Sequence, residues 1–214
     1  CIDPIEALGQ LALERGLLLH VDACIGGFLL PYFRRLGEAV PDFGFNVPGV
    51  TSLSMDLHKY AYVPKGASIV LYRDAALRSH QMYACSTWTG YSVVNPTVQS
   101  TKSGGPLAAA WAVMNHLGEE GYLRLNKRLM RMRQRYIDGI EAIDGLYIRG
   151  EPELLIVSYG SDAVDMGAVS EEMQRRKWFV GSQVNPPGIM IGLSLPHEAV
   201  VGEYLDDLSR SVTK

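Results

Sequence analysis

The stretch Ser54-Met55-Asp56-Leu57-His58-Lys59-Tyr60 decides how the chain is read, because it sets a lysine beside a histidine in a short loop after an apolar strand over 50–55. An amine held at the end of a strand, away from bulk water, loses its proton more easily than an exposed one and becomes a nucleophile toward aldehydes. Upstream, Leu17-Leu18-Leu19-His20-Val21-Asp22-Ala23 reads as a second apolar strand ending in a carboxylate, 37 residues before Lys59. Taken singly, Asp22 is a helix cap or turn former and His58-Lys59 a solvated loop. Together they set a carboxylate and an amine each at the end of its own strand, where sheets of α/β proteins bind ligands.

These are the two anchors that a pyridoxal phosphate site needs. The lysine makes a Schiff base, and the carboxylate keeps the pyridine nitrogen protonated so that the ring acts as an electron sink. Four segments carry a family resemblance: His20-Val21-Asp22-Ala23-Cys24-Ile25-Gly26-Gly27-Phe28, Val47-Pro48-Gly49-Val50-Thr51-Ser52, Asp56-Leu57-His58-Lys59-Tyr60 and Pro64-Lys65-Gly66. The chain resembles sphingosine-1-phosphate lyases, of the group II pyridoxal phosphate decarboxylase family within fold type I. The match is specific over 19–72 and rests on pattern beyond.

The resemblance implies an α/β fold. Residues 1–125 would be the C-terminal half of a large, mostly parallel-sheet cofactor domain, and 126–214 a small α+β C-terminal domain. It implies catalytic roles for Lys59, Asp22 and Lys65. Cofactor contacts fall to Lys59, Asp22, Ala23, His58 at the phosphate, and Ser100, and the cofactor lies between the protomers of a homodimer. The implied reaction is carbon–carbon cleavage of a phosphorylated sphingoid base to a fatty aldehyde and phosphoethanolamine. An amino-acid decarboxylase and a non-catalytic fragment stay open, because the same site decarboxylates if a carboxylate stands perpendicular to the ring. Ser100-Thr101-Lys102 stands where the family has Gly-Ser-Arg, and lysine does not replace arginine in a bidentate grip on phosphate.

Several side chains beside the anchors carry expectations of their own. Lys65, kept near Lys59 by the intervening turn, is expected to depress the pKa of its neighbour, and offers a cation for a substrate phosphate or for moving a proton. His20 is expected to be buried and structural, needing a partner. Ala23 is small enough to let the ring approach. Tyr60, Tyr62 and Tyr91 carry hydroxyls suited to acid–base work, although tyrosines in apolar surroundings mostly pack.

Composition narrows the classes. A net charge of −3 gives no electrostatic reason to expect nucleic acid or an anionic membrane. No stretch approaches the roughly 18 uninterrupted apolar residues of a membrane span. Cys1, Cys24 and Cys85 make neither an even disulfide framework nor a metal-ligand spacing, which points to a reducing, cytoplasmic compartment. Without an initiator methionine, the sequence reads as beginning inside a longer protein.

Along the chain, Asp3-Pro4 opens a capped helix that Gly16 closes. The continuously apolar strand that follows predicts a sheet covered on both faces. Gly26-Gly27 allows close backbone approach, 31–40 is a short helix or loop, 67–72 a third strand, and 74–82 a helix capped by Asp74. The segment 86–105 is long for a connection and carries Trp88 and Tyr91, so it is read as functional, reaching the site of a second subunit. The run 106–117 is apolar enough to predict a helix buried on most sides. A long amphipathic helix over 119–143 follows, then strands at 145–149, 154–159, 178–181 and 190–194, with helices at 166–177 and 198–212.

Overall fold

The computed structural model describes residues 1–99 and 101–213. The chain forms two compact units, Asp3–Glu119 and Cys1–Ile2 with Glu120–Lys214.

In the first unit, helix α1 (Ile5–Arg15) ends at Gly16, as the sequence predicts, but no side chain caps its start. The carbonyl of Asp3 accepts from the amide of Ile5 instead of its carboxylate serving as a cap. The strand that follows, β1 (Leu19–Asp22), begins two residues later than its apolar run, with Leu17 and Leu18 exposed. Helix α2 (Gly26–Arg35) carries the chain across to β2 (Val50–Asp56), which pairs parallel with β1, and β3 (Ser68–Tyr72) returns antiparallel to β2. The strand order is β1-β2-β3. A Cβ on Gly27 would come within 2.9 Å of the Met55 Cβ, so the glycine lets α2 lie directly against β2.

The alternation of strands separates the two faces of this sheet. Val21 and Leu53 enter a core with Ile5, Ala23 and Val47, Val50 joins it from before a register shift at Leu19/His20, and Leu19 and Met55 pack against it. The opposite face carries His20 and Asp22 from β1 and Ser52, Ser54 and Asp56 from β2, all exposed or half-buried. Among the described residues, the cover on both faces that the sequence predicts is present on the apolar face only. The physical reason is that His20, Asp22, Ser52 and Ser54 interrupt the apolar pattern at every second position.

Beyond β3, Asp74 caps the short helix α3 (Ala75–Ser79) by accepting from the Leu77 amide at 2.8 Å. A hairpin follows, β4 (Tyr83–Cys85) with β5 (Val93–Asn95), and it occupies part of the segment read as a loop. Trp88 and Tyr91 meet edge to face between its strands, with ring centres 4.7 Å apart. Helix α4 (Gly105–Glu141) is broken at Gly118, where φ 56° and ψ −176° are open only to glycine. Its first half corrects the expectation of burial. Ala110 is buried against Leu57, Ala61, Val63 and Ala67, whereas Leu107 and Trp111 are 66% and 71% exposed. Their spacing puts them on a face that this unit does not cover.

In the second unit, a four-stranded antiparallel sheet has the order β6-β7-β9-β8, from β6 (Tyr147–Ile148), β7 (Ile156–Gly160), β8 (Gly181–Val184) and β9 (Pro187–Gly192). Asp165 caps α5 (Met166–Arg175), and the chain closes with α6 (Val201–Val212) after a 3₁₀ turn, Leu195–Ala199. The strand expected at 178–181 does not form. The chain pairs instead at 181–184 and 187–192, on either side of Asn185-Pro186. Tyr136, Tyr159, Met173, Ile189, Tyr204 and Leu208 are buried, and the hydroxyls of Tyr159 and Tyr204 meet at 2.6 Å.

Candidate active site

The carboxyl ends of β1 and β2 bring Asp22 and the 56–60 loop to the polar face of the sheet. Asp22 Oδ1 accepts from the Ser54 hydroxyl at 3.0 Å and from the Cys24 amide at 3.1 Å. The Ser54 bond, then the Cys24 bonds and the nearby charge of Lys59, outweigh its partial desolvation, and they hold the carboxyl below the usual aspartate range. Lys59 thus stands close enough to Asp22 for its charge to be felt there. Asp22 closes β1, and Lys59 stands three residues beyond the end of its parallel neighbour β2.

Lys59 itself departs from expectation. Burial opposes the charge on its amine, but a hydrogen bond to the Cys24 sulfur and the bond and charge of Asp56 prevail and raise its pKa above the ordinary lysine value. The depressed amine expected from Lys65 is therefore not found. Lys65 is exposed, and the charged neighbour acting on Lys59 is Asp56.

Asp56 is the residue that sequence reasoning passed over. Its Oδ2 lies 2.9 Å from Lys59 Nζ and 3.6 Å from His58 Nε2, and its Oδ1 accepts from the Ser68 hydroxyl at 2.6 Å. Burial works against its charge, yet the bonds from Ser68 and Lys59 leave its carboxyl below the usual range. The signal available in the sequence was position alone, since Asp56 precedes Lys59 by three residues, the spacing at which a turn folds one side chain onto the other.

His58 is half-buried, and its Nδ1 lies 3.1 Å from the Ala67 carbonyl oxygen. A carbonyl only accepts, so Nδ1 carries the proton, and Nε2 is the nitrogen turned toward Asp56. Ala23 is buried in the core beside Val21, while Asp22 next to it is exposed. His20, expected inside, is exposed, with Ser52 and Ser54 as its partners. The Tyr60 hydroxyl is pushed up to about 12 by burial, which fits packing rather than proton transfer. Tyr62 holds φ 61°, a left-handed conformation in the turn after Lys59, and Tyr91 lies in the hairpin. Ser100 lies outside the described residues.

Residues 1–160 match the model of the pyridoxal-dependent decarboxylase conserved domain. The chain belongs to that family, whose cofactor is pyridoxal phosphate. Among its relatives is a sphingosine-1-phosphate lyase of Arabidopsis thaliana, 44% identical over 211 residues, covering 99% of this chain and 39% of the relative. Sphingosine-1-phosphate lyase 1 of Rattus norvegicus is 34% identical over 216 residues, covering 100% of this chain and 38% of the relative. The solved sphingosine-1-phosphate lyase of Burkholderia pseudomallei superposes with a TM-score of 0.94 at 36% identity, covering 99% of this chain and 49% of that one. The fold is accordingly that of fold type I. The chain spans about two fifths of the length of the curated relatives it matches.

The donor set fits the cofactor. An acceptor-only carboxylate held ionised on an open sheet face suits a protonated ring nitrogen, and the Lys59 amine stands within its electrostatic reach. Among the described residues no cluster of histidine, cysteine or carboxylate side chains is arranged to hold a metal ion, and no helix is long and apolar enough to cross a membrane.

Proposed function

We propose that the full-length protein is a pyridoxal phosphate-dependent carbon–carbon lyase that cleaves phosphorylated sphingoid bases to a fatty aldehyde and phosphoethanolamine. One observation carries this reading: Asp22 ends β1, held anionic by Ser54 of the neighbouring strand β2, and Lys59 follows β2 in the loop beyond it, its charge felt at Asp22. The identity with lyases across the whole chain supports the choice of reaction. When bound, the cofactor supplies an electron sink for the pair released as the Cα–Cβ bond breaks. Lys59 is the amine that attaches it. Asp22 holds the proton on the ring nitrogen, and Asp56 receives a hydrogen bond from the Lys59 ammonium until that proton leaves. His58, oriented by its bond to the Ala67 carbonyl, faces the cofactor phosphate in this reading, and the exposed Lys65 serves the substrate phosphate or a proton transfer.

The same reading makes the protein a cytoplasmic homodimer. The exposed Leu107, Trp111 and Met114 of α4 supply an apolar face beside the 86–105 segment, which would reach the partner's cofactor. Mixing a Lys59→Ala chain with one altered at Ser100 and Lys102 restores activity if sites are shared, and leaves it absent if each chain is self-contained.

A decarboxylase is the second reading, favoured by the family's own domain description. Full-length protein loaded with pyridoxal phosphate is incubated with sphingosine phosphate and, separately, with amino acids. Aldehyde from the lipid supports the lyase, and carbon dioxide from an amino acid supports the decarboxylase. A protein that gains no visible absorbance and releases neither is the non-catalytic alternative.

A further inference from the structure

The polar face of β1 and β2 carries more order than two anchoring residues require. His20 and Asp22 stand two apart on β1, opposite Ser52 and Ser54 on β2, so all four project to one side. Ser52 Oγ lies 2.8 Å from His20 Nδ1, His20 Nε2 lies 3.2 Å from Ser54 Oγ, and Ser54 Oγ donates to Asp22 Oδ1 at 3.0 Å.

Counting protons fixes the direction of each bond. An ionised carboxylate only accepts, so the single hydroxyl proton of Ser54 goes to Asp22. Ser54 Oγ must then accept from His20, which puts a hydrogen on Nε2. In the neutral ring Nδ1 is left as an acceptor, and Ser52 supplies the proton it takes. All three bonds point toward Asp22, and bonds aligned head to tail polarise one another.

We infer that His20 is a positioning residue, held as the Nε2–H tautomer by Ser52, which fixes the Ser54 hydroxyl and through it the orientation of the Asp22 carboxylate toward the cofactor ring nitrogen. The inference rests on the proposed role of Asp22. It assigns a task to His20 and Ser52 that packing does not explain, because neither enters a core cluster of the described residues.

Two measurements on the full-length protein test it. In the cofactor-free protein, nitrogen NMR of labelled histidine should show His20 with its proton on Nε2, and Ser52→Ala should erode that preference. A proton on Nδ1 overturns the relay whatever the protein catalyses. In the loaded protein, His20→Leu and Ser54→Ala should each slow turnover by roughly 10-fold or more, the scale of one hydrogen bond to a charged group. They should also shift the visible absorption band of the cofactor. His20→Gln, which keeps a donor at the Nε2 position, should recover much of both. If His20→Leu matches the wild type in band and rate while Asp22→Asn does not, the relay is wrong and the role of Asp22 stands. If Asp22→Asn also matches the wild type, the role assigned to Asp22 has failed, and with it the purpose given to the relay.

Discussion

Asp56 folds back onto Lys59 across a single turn, with its Oδ2 2.9 Å from Nζ, while its other oxygen is taken by Ser68. Asp56→Asn removes the anion and leaves the burial that opposes the ammonium. The pKa of Lys59 in the cofactor-free protein should therefore fall. The pH dependence of Lys59 modification by an amine-selective reagent reads this directly, and an unchanged profile would show that the ion pair does not set the amine.

The two lowered carboxyls of the site contribute to acid stability, beside Glu119, Glu198 and Asp207, which are lowered elsewhere. Asp22 and Asp56 both titrate below the unfolded aspartate value of about 3.9. A depressed folded pKa gives stability that is complete above the unfolded value and is lost as pH falls through the folded one. Thermal unfolding of the cofactor-free protein should therefore lose stability steadily below about pH 4. The double variant Asp22→Asn/Asp56→Asn should show a flatter slope there. Equal slopes in the two proteins would assign the acid sensitivity elsewhere.

Lys59→Ala and Asp22→Asn should fail differently. The first should lose the visible absorbance of the attached cofactor and all turnover. Its stability should change by under about 1 kcal/mol, since a half-exposed loop lysine packs little. The second should keep the cofactor but turn over roughly 10²-fold more slowly, the scale for losing one electrostatic partner of developing charge. Retained absorbance and turnover in Lys59→Ala would remove it as the attachment point.

In the second unit, the Tyr159 and Tyr204 hydroxyls satisfy each other in a buried position. Tyr159→Phe strands one of them and should cost about 1–2 kcal/mol in chemical denaturation. Adding Tyr204→Phe should cost less than the sum of the two single changes, because the stranded group is gone. Strict additivity would mean that the hydroxyls do not interact.

How far these features were legible differs from element to element. The strands around Asp22 and Lys59 show in the sequence because an apolar run ending in a polar residue marks both a core strand and the place where it leaves the sheet. The exposure of His20 was legible in principle, as His20/Asp22 and Ser52/Ser54 repeat at period two. The continuous leucines before them masked that alternation, and Leu17 and Leu18 lie outside the strand. The 106–117 run is legible as a helix. Its burial is not, since hydrophobicity states what a face prefers and not whether this unit supplies the cover. The hairpin at 181–192 is hard to place from sequence because aromatic Trp178 and Phe179 favour a strand before it, whereas the turn signal is Asn185-Pro186. Asp56 was hidden because an aspartate before a loop has many ordinary uses.

The division of labour along β2 makes its register a functional quantity. Leu53 and Met55 point into the core, and Ser52, Ser54 and Asp56 alternate with them toward Asp22 and Lys59. A slip of one residue against β1 would exchange these sets, burying three polar groups and exposing two apolar ones. The hydrophobic effect that seats Leu53 thus also aims Ser54. The chemistry at the strand ends is kept in alignment by a core that takes no part in it.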